Sequence, residues 1–229
     1  MAALWGAVGV LAGGFVAWAN DRLAHAEQLT DSGQPRAESG GTGGLAGLVW
    51  LGSPLRLGPP VLLGATLAAL GGQLGAQAAL LPRSLWAAVL VQVLFFDLAR
   101  HLILDRVLLP AGVAAFLLSF VTPGVGWASS LAAGAGAICA FALIALAGRR
   151  ALHTEAMGLG DVKLAGFIGL ALGVQGATVA LLAGVLLAGL VALGLVLTRV
   201  RGLRDRIAYG PYLALGSLLA LFLAGLRPR

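Results

Sequence analysis

The chain of 229 residues is too apolar for a water-soluble domain, because 59% of its residues are hydrophobic and only 10% are charged. Soluble domains carry roughly 25% charged residues, so much of this surface must meet lipid. The net charge of +6 comes from 15 basic and 9 acidic residues, and the single cysteine, Cys139, excludes an intrachain disulfide and a cysteine-based zinc cluster.

Apolar segments recur along the chain, and crossing about 30 Å of hydrocarbon takes roughly 20 such residues. We predict an all-α polytopic membrane protein with about eight transmembrane helices, forming a single membrane-embedded domain over residues 1–229. The spans are predicted at 2–19, 57–80, 84–104, 106–121, 127–147, 161–173, 177–198 and 208–226. The sixth is short, and its only break from the seventh is at Gly173, Gln175 and Gly176. Seven spans plus a re-entrant segment are the alternative.

The first span has some features of a secretory signal, because Ala17-Trp18-Ala19 resembles a cleavage site. No Lys or Arg precedes it, which favours a retained helix. Residues 20–50, which follow, are polar and rich in Gly, Ser and Thr. They are too poor in apolar residues to fold independently, so we predict a short loop there.

The positive charges predict the orientation of the chain. With eight spans, all but three of the 15 basic residues fall on one face, and the exceptions are Arg83, Arg227 and Arg229. The face rich in Lys and Arg is cytoplasmic by the positive-inside rule. This threading places the loop 20–50 in the cytoplasm and puts Asp97, Asp105 and Asp161 near the inner surface.

Asp97 is the first charge after more than ten apolar residues of the third span. A charge at the centre of a spanning helix costs about 2.5 to 3.5 kcal/mol, and less toward the interface. The structural explanation is an ion pair with Arg100, three residues further along the same helical face. The functional explanation is a catalytic carboxylate.

Asp161 ends the run Gly158-Leu159-Gly160-Asp161 at the start of the sixth span. The structural explanation is a glycine turn in which Asp161 caps the helix N-terminus. Glycines so close together also allow an extended peptide to approach the backbone, as a protease site requires.

Two carboxylates together can do what neither does alone. If the third and sixth helices pack together, Asp97 and Asp161 can share one proton, since like charges a few ångströms apart cannot both ionise. The ionised member then takes a proton from water while the protonated member polarises a carbonyl. This pattern predicts peptide hydrolysis without a covalent intermediate.

Other kinds of site are not supported. The three histidines, His25, His101 and His153, are scattered along the chain. There is no nucleophile elbow, no H-E-x-x-H zinc motif and no G-x-x-x-x-G-K phosphate loop. We therefore expect no bound metal and no nucleic-acid partner.

Three segments resemble the type IV prepilin peptidases, which are GxGD-type membrane aspartic proteases. They are residues 97–110 (DLARHLILDRVLLP), residues 157–164 (MGLGDVKL) and, opening the last helix, residues 209–214 (YGPYLA). The first two resemble the family's active-site motifs, and the resemblance implies that Asp97 and Asp161 are the catalytic pair. The residues that it implies shape the site or bind substrate are Gly158, Gly160, Lys163, Asp105 and Pro211. Among these, Lys163 is expected to be an electrostatic neighbour of the pair and Asp105 a noncatalytic acid.

The resemblance also implies a function and a location. Family members remove a short basic leader from prepilins or pseudopilins at the cytoplasmic face of the prokaryotic inner membrane, so prepilin-like substrates and the lipid bilayer are the expected partners. Many members carry a cytoplasmic insert with two Cys-x-x-Cys pairs and methylate the new N-terminus with S-adenosylmethionine. Residues 20–50 contain no Cys. We expect no zinc and no cofactor, with S-adenosylmethionine required only if methyltransferase activity is retained.

Two other functions stay open at this point. A small transporter or channel would use intramembrane carboxylates to relay protons or bind a cation. The sequence speaks against it, because no repeat relates its two halves and the acids lie near one face. An inactive relative that assists pilus assembly is the second alternative, and only an activity assay separates it from a protease.

Overall fold

The computed structural model describes residues 1–31, 57–75, 77–100, 105–152, 157–198 and 209–226. Within these ranges the chain forms helices and no strands, which confirms the all-α prediction. The helices are α1 (Ala2–Asp31), α2 (Gly58–Leu74), α3 (Leu80–Arg100), α4 (Asp105–Ser119), α5 (Trp127–Leu152), α6 (Leu159–Leu197) and α7 (Gly210–Leu226). The described residues thus form seven helices, of which α6 is interrupted at Gly173, and the predicted count of eight is not confirmed.

Four helical segments are long and apolar enough to cross a membrane. By length and composition they are Ala2–Asn20, Leu80–Arg100, Trp127–Arg150 and Leu159–Gly194, and the last of these is divided by the non-helical Gly173. Their outward faces carry large exposed apolar side chains such as Leu131, Leu143 and Leu186. Lipid solvates such faces, so the structure supports the predicted polytopic membrane protein.

Helix α1 is longer than predicted and corrects part of the loop prediction. It continues to Asp31, so residues 20–31 are helical, whereas the sequence predicted a loop over 20–50. The stretch NDRLAHAEQLTD contains no Gly or Pro and includes Ala, Leu, Arg, Glu and Gln, which have high helix propensity. The polar residues after position 19 correctly predicted the end of the membrane span, but a helix can continue through polar residues. The rest of the predicted loop, residues 32–50, lies outside the described residues.

Helix α6 reverses direction at Gly173, whose backbone (φ 66°, ψ −178°) is not helical. The contacts that α6 makes with α7 show this reversal. Asp161 contacts Gly210 at the start of α7, and a Cβ on Gly184 would lie 2.8 Å from the Cα of Leu213 in the same part of α7. A straight helix would separate Asp161 from Gly184 by about 35 Å, so residues 159–172 and 174–197 must run in opposite directions.

Two serines of α5 hold this reversal in place. The Ser130 hydroxyl donates to the Leu170 carbonyl at 2.6 Å. The Ser129 hydroxyl accepts the Val174 backbone N–H at 3.0 Å. The sequence predicted a break at Gly173, Gln175 and Gly176, and the structure places the non-helical backbone at the first of these.

Small residues allow the helices to approach closely. On α6, a Cβ at Gly169 would lie 2.5 Å from the carbonyl carbon and oxygen of Ala133 on α5. Such contacts allow backbones to pack directly, as is typical of helix interfaces in lipid. Larger side chains pack elsewhere, and Trp86 of α3 meets Phe167 of α6 edge to face, with ring centroids 5.8 Å apart. This ring contact shows that α3 faces the first half of α6.

Candidate active site

Asp97 lies in the last turn of α3, after the buried apolar run Leu94-Phe95-Phe96. Only 4% of the residue is exposed. Its Oδ2 atom is buried and has no hydrogen-bond partner in the described part of the chain. In the same part of the chain, no ion pair joins Asp97 to Arg100. The structural explanation for Asp97, an ion pair on its own helix, is therefore not supported.

Asp161 lies in the first turn of α6, with Gly158 just before the helix and Gly160 as its second residue. Its backbone N–H donates to the carbonyl of Gly158 at 3.2 Å. Its carboxylate accepts hydrogen bonds from the backbone N–H groups of Gly158 and Gly210. Asp161 thus accepts an N–H group at the start of its own helix, as predicted, although it lies inside the first turn and not at the N-cap, and it also contacts the start of a second helix, α7.

The two aspartates, 64 positions apart in the sequence, meet at the same end of the helix bundle. Their carboxylates are close enough for their charges to interact. The cause is that α3 and α6 both pack on α7, and the Trp86–Phe167 ring contact places the first half of α6 antiparallel to α3. The structure thus brings Asp97 and Asp161 within range of each other's charge, and their sharing of one proton stays a prediction.

The glycines beside Asp161 leave space around its carboxylate. Gly158 is exposed and Gly160 is partly buried. A Cβ on Gly158 would lie 3.7 Å from Asp161 Oδ2, an ordinary contact distance. These positions agree with the predicted role of the glycines in shaping the site, and that role stays a prediction.

Lys163 and Asp105 form an ion pair at the edge of the site. The Lys163 ammonium donates to Asp105 Oδ2 at 2.6 Å. The side chains are 42% and 51% exposed, respectively. The sequence predicted Lys163 as an electrostatic neighbour of the Asp97–Asp161 pair, and its hydrogen bond goes to Asp105, the acid that the resemblance implies is noncatalytic; both roles stay predictions. The pair joins the first turn of α4 to the first turn of α6.

Pro211 is the second residue of α7 and is buried. Proline suits the first turn of a helix because the missing N–H has no intrahelical partner there. The Tyr209 carbonyl accepts the N–H groups of Tyr212 and Leu213, at 3.1 and 3.0 Å. Pro211 thus belongs to the helix start that presents the Gly210 N–H to Asp161.

The sequence reasoning missed Gly210 as a site residue. The segment that opens the last helix was singled out, yet only Pro211 was assigned a role. A backbone N–H has no side-chain signature, so nothing in the pattern identifies Gly210 as the donor. The middle of the first motif, residues 101–104, lies outside the described residues.

Known proteins are similar to the part of the chain that contains both aspartates. Residues 84–193, which include both aspartates, match the family model described as the type IV leader peptidase family. The chain belongs to this family. Two relatives are both named prepilin leader peptidase/N-methyltransferase. The one from Bacillus subtilis is 33% identical over 156 residues, which is 67% of this chain and 60% of the relative.

The relative from Aeromonas hydrophila is 33% identical over 134 residues, which is 58% of this chain and 46% of the relative. This member of the type IV leader peptidase family thus spans about half the length of the curated relatives that it matches. No solved structure matches it significantly.

Proposed function

We propose that this chain is a membrane-embedded aspartic endopeptidase that removes the basic leader from prepilin or pseudopilin substrates. One observation carries the proposal: Asp97 and Asp161, far apart in the sequence, lie near each other at one end of the bundle. The family membership supports peptidase chemistry. The relatives' names, which specify prepilin leader peptidases, support the substrate class.

The chemistry is general acid–base hydrolysis by two carboxyl groups that share one proton. The ionised carboxylate takes a proton from a water molecule as the water oxygen attacks the scissile carbonyl. The protonated carboxyl donates to the carbonyl oxygen. Water and peptide are the only reactants, so this step needs no metal or cofactor.

We propose that the reaction takes place at the cytoplasmic face of the prokaryotic inner membrane. The distribution of Lys and Arg over the predicted spans supports this orientation. A site at the end of the bundle supports a reaction at a membrane face, because hydrolysis needs water, but the choice of face rests on the positive charges alone. Lipid is a partner in the sense that the apolar outer faces of the helices require it.

Methyl transfer is a separate activity that the names of the relatives include. We propose that this chain cleaves its substrate without methylating the new N-terminus. The absence of Cys from residues 20–50 supports this proposal, since the family's cytoplasmic insert is built on cysteine pairs.

The test is coexpression of the full chain with a prepilin, followed by mass measurement of the substrate's N-terminus. The wild type should produce the leaderless form, and its mass should lack an added methyl group. Asp97→Asn and Asp161→Asn should each slow cleavage by roughly 10² to 10⁴-fold, the usual contribution of one acid or base. Asp205→Asn makes the same charge change elsewhere and should leave cleavage intact.

All variants must be present in the membrane at equal amounts, as judged by immunoblot of an epitope tag. Normal processing by either catalytic variant would refute the aspartic mechanism. A methylated product would refute the second part of the proposal but not the first. Complete absence of cleavage by the wild type, with several prepilins, would instead support the inactive relative.

A further inference from the structure

We propose that the two carboxyl groups have fixed and different roles, in which Asp161 carries the negative charge and Asp97 carries the shared proton. This inference rests on the proposed function and deepens it. A symmetric pair would allow either residue to be the base. The surroundings of this pair are not symmetric, and the hydrogen-bond donors, the helix positions and the burial of the two groups favour this assignment.

Asp161 has two backbone hydrogen-bond donors. The N–H groups of Gly158 and Gly210 both donate to its carboxylate. It lies in the first turn of α6, and Gly210 is the first residue of α7, so two helix N-termini face it. Helix N-termini and backbone N–H groups both stabilise a negative charge. Asp161 is therefore the better site for the ionised group.

Asp97 has the opposite surroundings. It lies in the last turn of α3, where the helix dipole disfavours a negative charge. It is nearly fully buried, and its Oδ2 atom has no donor in the described part of the chain. Nearby cations do not compensate, since Lys163 is paired with Asp105 and no ion pair is formed by Arg100 within the described ranges. A buried carboxyl without donors is far less costly when it is neutral.

This assignment gives each proton a path. Asp161 removes a proton from water as the water oxygen forms a bond to the carbonyl carbon, and Asp97 gives its proton to the carbonyl oxygen. The carbon then carries two hydroxyl groups. When the C–N bond breaks, the leaving nitrogen takes the proton from Asp161 and one hydroxyl returns its proton to Asp97. The products are an acid and an amine, and both carboxyl groups regain their starting states.

Gly210 is a positioning residue in this scheme, because it acts on the reaction only through Asp161. Its N–H is free for this purpose, since the first N–H groups of a helix have no intrahelical partner. The reversal of α6 at Gly173 makes the contact possible, because it places α7 alongside the second half of α6 while α7 begins next to Asp161.

The protonated carboxyl can be observed directly by infrared spectroscopy of the purified full chain. The protein is measured at neutral pH in a detergent without ester groups, so that the C=O stretch of a protonated carboxyl is not overlapped. The wild type and the control Asp205→Asn should show this band, and Asp97→Asn should lose it. A band that persists in Asp97→Asn would overturn the assignment, as would its absence from the wild type. This measurement is independent of proteolysis.

A second experiment tests Gly210 through kinetics. Gly210→Pro removes the N–H at a helix position where proline is well tolerated, while Gly210→Ala keeps it. We expect kcat to fall at least about tenfold more in the proline variant than in the alanine variant, as expected for one lost hydrogen bond to a charged group. KM should change little in both, because the N–H contacts Asp161 and not the substrate.

The two kinetic outcomes separate the hypotheses. If the wild type cleaves and the two Gly210 variants have the same kcat, the positioning role is wrong while the proposed function stands. If the wild type cleaves no prepilin, the proposed function fails, and the infrared result still decides which aspartate is protonated.

Discussion

The Lys163 ammonium and the Asp105 carboxylate lie 2.6 Å apart and join the starts of α4 and α6. Both side chains are about half exposed, and such salt bridges contribute only about 0.2 to 1 kcal/mol. We therefore expect Asp105→Asn and Lys163→Gln each to slow leader removal by no more than about fivefold. The double variant should be no slower than the slower single variant, because one shared contact is lost.

Rates of cleavage in a double-mutant cycle test this expectation. If Asp105→Asn abolished cleavage as completely as Asp161→Asn, Asp105 would belong to the catalytic machinery. The ion pair would then be more than a link between two helices.

The reversal of α6 depends on a glycine at position 173. Its φ of 66° with ψ near 180° lies in a region that only glycine occupies readily. A Cβ there would also lie 2.9 Å from the Ser129 hydroxyl. Gly173→Ala should lower the stability of the protein in detergent by about 1 to 3 kcal/mol, measured by thermal unfolding.

Gly189→Ala is the matched control on the same helix. Gly189 is exposed, and an added Cβ meets no atom within 4 Å. Because alanine favours helix more than glycine does, this variant should be as stable as the wild type or slightly more stable. Equal losses in the two variants would mean that backbone conformation at Gly173 is not the cause.

The stability of the protein should also depend on small residues where α5 packs on α6. Gly169→Val places atoms against the Ala133 backbone, which cannot move aside as a side chain can. Overpacking of this kind costs about 1 to 3 kcal/mol. We expect a lower unfolding temperature and slower cleavage, because α6 carries Asp161. Gly136→Val adds the same atoms at an exposed position with open space, and should change neither.

The proposed orientation predicts which parts of the chain are reachable from outside the cell. Pro123 is exposed in the turn between α4 and α5, and Arg149 is exposed near the end of α5. In a Cys139→Ser background, a membrane-impermeant maleimide should label Pro123→Cys in intact cells and Arg149→Cys only after permeabilisation. The reverse pattern would place the site on the outer face.

Hydropathy predicted the helices well because lipid imposes a simple rule on composition and length. The break near Gly173 was also predictable, because glycine is the residue that tolerates such a backbone. The extent of α1 was not, since a helix continues into water wherever propensity allows it. The pairing of Asp97 with Asp161 was expected only on the condition that their helices pack together.

Hydrogen bonds made by the backbone, such as that of Gly210, could not be predicted from the sequence. The Gly210 N–H contacts Asp161 because α6 and α7 begin close together. No residue type in the sequence indicates this arrangement. The partner of Lys163 was not predicted for a related reason. The family resemblance implied a place beside the aspartate pair, and the ion pair with Asp105 is a tertiary contact between two helix starts.

The first half of α6 is short for a membrane span. Its 14 residues, 159–172, measure about 21 Å along the axis, against about 30 Å of hydrocarbon. Helix α4, which packs beside it, has only 15 residues. Hydrophobic mismatch of this size is relieved when the bilayer thins around the short helices. Thinning brings headgroups and bulk water closer to the carboxyl pair, so we expect the acyl-chain length of the surrounding lipid to change the rate of the proposed hydrolysis.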